Sequence, residues 1–209
     1  MTAQIYELGD STLTIEFGNE INESVHQEVM KRFYQFQSFP LPGTLDLIPA
    51  YASLTIVFDL GMVASRFEGL AGMKALIKKK LAEDFTGFLP EGRLHEVPCE
   101  YNGGDLASVA SQCGISEAEV IRLHSEKEYT VYFLGFLPGF AYMGTTDARI
   151  TVSRKETPAP IQKGDIGLAG NQTGIYPNAS PGGWQIIGRT TEIPHFRAGD
   201  RVRFIPVTA

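Results

Sequence analysis

Short runs in which apolar and polar residues alternate are separated, through the first hundred residues, by longer stretches with a helical apolar stripe. In TLTIEFG, Leu13, Ile15 and Phe17 fall at every second position, the period of a strand with one buried face. Asn22 then stands as a helix cap before a stretch in which Val25, Val29, Phe33 and Phe36 share one stripe, and Glu23 suits the positive end of the helix dipole. Pro40, Pro42 and Gly43 stop that helix. TLDLI predicts a strand, Pro49 to Tyr51 a turn, and LTIVFD a returning strand with Leu54, Ile56 and Phe58 on one face. A second helix carries Phe67, Leu70, Ile77 and Leu81 on one side, with Lys78, Lys79 and Lys80 near its end as a solvated face that favours the helix C-terminus. LHEVPCEY, with Val97, Cys99 and Tyr101 in alternation, returns as a strand.

The resulting order, β-α-β-β-α-β, is the ferredoxin-like arrangement. It predicts an α+β chain with a ferredoxin-like α/β domain over residues 1–90, a size that folds alone. In the second part, 91–209, residues 105–125 form a helical insertion: two short helices around Cys113-Gly114-Ile115, the second opened by a capping box from Ser116 to Glu119. Two helices around a glycine turn are also the outline of a DNA-binding helix-turn-helix, but Glu117 and Glu119 would aim negative charge at phosphates. From Tyr129 the chain breaks into YTVYFLG, RITVS, IGLAG, WQIIG and RVRFIPV, short strands with glycine-rich links that predict a closed or nearly closed β-barrel.

Composition narrows the function. Apolar residues at 43% and charged residues at 20% are those of a globular chain, and a net charge of −6 opposes a nucleic-acid footprint. The start, MTAQIYELGD, has neither the basic nor the apolar part of a signal peptide, and no apolar run nears the ~20 residues that span a bilayer. A cytoplasmic location is expected. Cys99 and Cys113 have no metal or disulfide spacing, and His26, His95, His124 and His195 are scattered, so no metal site is recognised.

Two stretches of the second part stand out, LGFLPGFAYMG and GNQTGIYPNASPGGWQIIGRT. Their glycines and prolines build rigid loops in which Phe136, Phe140, Tyr142, Tyr176 and Trp184 either wall a pocket or fill the barrel interior. Gln172, Thr173, Ser180, Gln185 and Arg189 are the polar groups for a small molecule, and the Arg189 fork suits a carboxylate or phosphate. GFAYMGTT has the glycine spacing of a phosphate loop, but Thr145 stands where that loop needs lysine.

YTVYFLGFLPGFAYMG, GLAGNQTGIYP and SPGGWQIIGRT, in that order, with GDSTLTIEFG and IPAYASLTIVFD before them, closely resemble a carboxyltransferase-domain family. That family contains the B subunit of 5-oxoprolinase, allophanate hydrolase subunit 1 and a sporulation-kinase inhibitor. The resemblance covers the whole chain. It implies a ferredoxin-like N-terminal domain followed by a cyclophilin-like β-barrel, a term that describes the barrel and does not imply prolyl isomerase activity. It also implies work with the C and A subunits of 5-oxoprolinase, which together open 5-oxo-L-proline to L-glutamate at the expense of ATP, the ATP site being one that a partner protein can carry. Catalytic roles for Arg189 and Gln172 follow on that reading, with Phe136, Phe140, Tyr142, Thr173, Tyr176, Ser180, Trp184 and Gln185 around the substrate. Two other roles in the family are inhibition of a sensor histidine kinase and membership of another amide-hydrolase or carboxyltransferase assembly. Thr157-Pro158-Ala159 departs from the usual Thr-Pro-Arg, so an arginine able to hold an anion is missing at Ala159.

Overall fold

The structure, a computed structural model, describes residues 3–207. The chain divides into two compact units, Met1–Pro90 and Glu91–Ala209. In the first, strands β1 (Gln4–Glu7) and β2 (Thr12–Glu16) form a hairpin, helix α1 (Glu23–Ser38) follows, and strands β3 (Thr44–Pro49) and β4 (Ser53–Phe58) form a second hairpin. Helices α2 (Leu60–Arg66) and α3 (Leu70–Ala82) complete the unit. The sheet order is β1-β2-β4-β3, antiparallel throughout. Leu13, Ile15, Leu54, Ile56 and Phe58 turn inward against Val29 and Phe36 of α1 and Met73 and Ile77 of α3. Each fully buried side chain of this kind contributes about 1.5–3 kcal/mol.

Two expectations change here. The second helix is broken in two, because Glu68 and Gly69 take left-handed backbone angles (φ 55° and 74°) that no continuous helix accepts. The closing strand, β5 (Leu94–Cys99), does not join this sheet: β1 holds the place beside β2, and β5 belongs to the second unit. A local hairpin closes a much shorter loop than a strand returning from residue 94, so β1 takes the edge at lower entropic cost.

The second unit is a mixed α/β structure around a nearly closed barrel. After β5 come helices α4 (Leu106–Cys113) and α5 (Glu117–Ser125) and strands β6 (Glu128–Leu134) and β7 (Ala141–Gly144). Strands β8 (Ala159–Ile161), β9 (Asp165–Ala169), β10 (Gln172–Ile175), β11 (Ser180–Gly182), β12 (Gln185–Arg189) and β13 (Arg201–Pro206) follow. Seven of them make one sheet, ordered β12-β9-β10-β7-β6-β13-β5, in which only β13 and β5 run parallel. Just past the end of β5, Glu100 exchanges both backbone hydrogen bonds with Arg189 at 2.9 Å, which draws the two edge strands together. Strands β8 and β11 pair separately as a ribbon. RITVS, expected as a strand, opens with a 3₁₀ turn at Ala148–Ile150 and pairs only at Val152. The Asp147 carboxylate explains this, since it accepts from both the backbone N–H and the guanidinium of Arg149 and so competes with strand pairing.

Candidate functional site

Where the barrel edges meet, the turn Asn102-Gly103-Gly104-Asp105 lies against β12. The Gly103 N–H donates to the Ile187 carbonyl at 3.2 Å and the Asp105 N–H to that of Ile186 at 2.9 Å. The approach requires glycine: a Cβ on Gly103 would sit 2.4 Å from the Ile186 carbonyl oxygen, and one on Gly188 would sit 2.7 Å from that of Glu100. Backbone thus replaces side chain along this line, and a cleft of about 370 Å³ opens beside it.

Four charged side chains face this cleft, and they form two pairs. At one end Arg189 donates through Nε to Asp165 Oδ1 at 2.8 Å, while the other oxygen of Asp165 accepts from the Gln162 N–H at 2.8 Å. Asp165 is 5% exposed, so this carboxylate is locked in place and fixes the plane of the guanidinium. The Arg189 side chain itself is half exposed. At the other end Lys155 Nζ lies 2.6 Å from Asp105 Oδ2, which also accepts from the Ile186 N–H at 2.7 Å. Asp105 occupies the N-cap position of α4, yet its side chain makes no capping bond; it is turned toward β12 and Lys155 instead. The cleft therefore offers a cation and a carboxylate at each end and balances to zero charge.

The predicted site residues separate into groups. Arg189 lines the cleft. Gln172 does not reach it: Arg189 pairs with Asp165 and Gln172 with Ala169, four residues apart on β9, or about 13 Å. Phe140, Tyr176 and Trp184 are 1%, 1% and 4% exposed and pack together as a satellite core, with ring centroids 5.0 Å apart for Phe140 and Tyr176 and 5.3 Å for Phe140 and Trp184. Tyr142, half-buried, stacks on Phe133 at 4.4 Å. Of the five aromatics only Phe136 is exposed, held at φ 69° above Phe140 and Tyr176. The other rings pack in or against that satellite core, apart from the main barrel core, rather than line the cleft.

Thr173 is fully buried, where it accepts from the ring of His124 and donates to the Gly167 carbonyl. Gln185 is buried with its amide on the Ser153 carbonyl at 3.1 Å. Ser180 sits in the β8–β11 ribbon, and its Oγ is buried without a hydrogen-bond partner among the described residues. Asp105, Lys155, Gln162 and Asp165 were not singled out from sequence. Asp105 carries a faint signal, as the end of a turn-forming Asn-Gly-Gly-Asp before a helix; Lys155 carries none, being one polar residue in the loop RKET.

Residues 3–204 match the family described as carboxyltransferase domain, subdomain C and D. The 5-oxoprolinase B subunit of Bacillus subtilis (strain 168) is 40% identical over 223 residues, covering 98% of this chain and 93% of that protein. The 5-oxoprolinase B subunit of Escherichia coli O157:H7 is 33% identical over 217 residues, covering 98% and 96%. Among solved structures, the crystal structure of TTHA0988 matches with a TM-score of 0.79 and 32% identity over 95% of this chain. The present chain spans 40% of that longer one.

Proposed function

Because the chain belongs to the carboxyltransferase-domain family of subdomains C and D, we propose that it is the B subunit of an ATP-dependent 5-oxoprolinase, which opens 5-oxo-L-proline to L-glutamate. The observation that carries this is end-to-end similarity to curated proteins of that name, 98% of the chain in two of them. The nearly closed seven-stranded sheet we take as the family's cyclophilin-like barrel. The A and C subunits complete the enzyme, in the cytoplasm where ATP is supplied.

The chemistry explains the need for ATP. A lactam carbonyl is resonance-stabilised, and phosphorylation of its oxygen makes the ring carbon electrophilic enough for water. The cleft does not fit the nucleotide itself: two cations, each already paired with a carboxylate, leave no net positive charge for a triphosphate. ATP is assigned to a partner protein. This chain's part is to bind and orient the lactam, with Arg189 as a charge-assisted anchor for the negatively charged end of the substrate, beside a backbone line cleared by Gly103 and Gly188. Gln172, remote from Arg189, takes no part in that cleft.

ADP and glutamate release on adding 5-oxo-L-proline tests the reading in three mixtures: this chain alone, the chain with its A and C partners, and those partners without it. Product is expected only in the complete mixture. Equal release without this chain, or none from a folded complete mixture, rejects it.

A further inference from the structure

Arg189 reaches Asp165 through Nε alone, and neither Nη has a partner among the described residues. That leaves the four N–H donors of the two Nη groups unused by the anchor. At the far end Lys155 spends one donor on Asp105 Oδ2, and Asp105 Oδ1 accepts from none of the described residues. Asp105 lies beside Ile186, three residues before Arg189 on β12, with a bulge between Ile186 and Gly188. The cleft that both pairs line, about 370 Å³, is of the size that takes one small molecule.

We propose that the cleft holds a small carboxylate-bearing lactam by its two ends, with Arg189 taking the carboxylate and the Asp105–Lys155 pair taking the ring amide. The Nη groups of Arg189 donate to the two carboxylate oxygens. Asp105 Oδ1 accepts from the lactam N–H, and Lys155 Nζ donates to the lactam carbonyl. Asp165 is a positioning residue, which acts through Arg189. The cyclic amide matches the amide-seeking end in a way an acyclic dicarboxylate does not, since Asp105 would repel a second carboxylate. The identification of this ligand as 5-oxo-L-proline rests on the proposed function; the two-ended chemistry rests on the cleft.

Binding to the assembled complex, measured by calorimetry with 5-oxo-L-proline, 2-pyrrolidinone and cyclopentanecarboxylate, separates the two ends without any turnover. Arg189→Gln is expected to weaken 5-oxo-L-proline and cyclopentanecarboxylate at least tenfold and leave 2-pyrrolidinone unchanged. Lys155→Met and Asp105→Asn are expected to weaken 5-oxo-L-proline and 2-pyrrolidinone and leave cyclopentanecarboxylate unchanged. Arg189→Lys, which keeps the charge and the fold but loses the fork, restores part of the carboxylate affinity. Equal weakening of all three probes by either end, or no effect on any, overturns the proposal. The two readings fail separately: a wild-type complex that binds the probes in this pattern yet releases no glutamate rejects the function and keeps the site, whereas glutamate release with the variants unaffected does the reverse.

Discussion

His124 is enclosed on every side. Its ring stacks 4.5 Å from Phe204, Nδ1 lies 2.6 Å from the Tyr101 hydroxyl and Nε2 2.8 Å from the Thr173 hydroxyl. Thr173 donates onward to the Gly167 carbonyl, so it accepts from Nε2–H, and Nδ1 accepts from Tyr101. Every polar atom is satisfied by a neutral ring, and burial holds the imidazole down at about 3, against 6.5 for an open histidine. The sign follows: below pH 6.5 the unfolded chain takes up a proton that the folded chain refuses, so stability is whole above 6.5 and lost as pH falls toward 3. Between pH 7 and 5 this group alone removes about 2 kcal/mol. Urea titrations at the two pH values are expected to show that loss in the native chain and a correspondingly flatter dependence in His124→Gln, which is less stable at pH 7. An unchanged dependence in the variant would remove His124 from the account. Sequence showed His124 only as one scattered histidine, because its partners come from residues 101, 173 and 204. Asn22 and Ser116, by contrast, cap as expected, since a cap is settled within three residues.

Helix α3 ends without a glycine: its C-cap is Glu83, in extended backbone, and the last carbonyls need partners. They find them on α1. Arg32 donates through Nη2 to the Leu81 carbonyl at 3.1 Å and through Nη1 to that of Glu83 at 3.2 Å, while Gln35 donates to that of Lys80 at 3.2 Å. Glu28, 2.7 Å from Arg32 Nε, completes a part-buried clamp between two helices. Arg32→Met keeps the length and removes the charge-assisted bonds; a loss of about 2 kcal/mol is expected in chemical denaturation followed by circular dichroism. A loss under about 0.5 kcal/mol would mean that water serves these carbonyls as well. Periodicity marked both helices but could not show this, because Arg32 lies among polar neighbours and its acceptors are backbone atoms some fifty residues on. The same limit moved β5: its alternation of Val97 and Cys99 is that of any half-buried strand, and which sheet receives it depends on partners that local pattern does not encode.

For the whole chain, a nearly closed barrel was legible from the spacing of strands and glycine links, and the motif strings carried the family. The cleft was not, since Asp105, Lys155, Asp165 and Arg189 come from four separate segments that meet only when the barrel edges do. Closure depends on β13, which joins β6 on one side and β5 on the other. A chain stopped after Gly199 is therefore expected to lose the buried emission of Trp184, the single tryptophan, and to aggregate through two bare strand edges. Native-like emission from a monomeric truncated chain would show that the barrel stands without its last strand.

That parallel pairing of β5 with β13 also sets a timetable. During synthesis the first unit has all its strands by residue 58 and its last helix by residue 82, so it can fold as soon as that length clears the ribosome. The second unit emerges with β5 at residue 94 and must wait until residue 206 for the strand that β5 pairs with. For more than a hundred codons β5 lacks the strand it pairs with, and an unpaired strand edge of that kind is a template for aggregation.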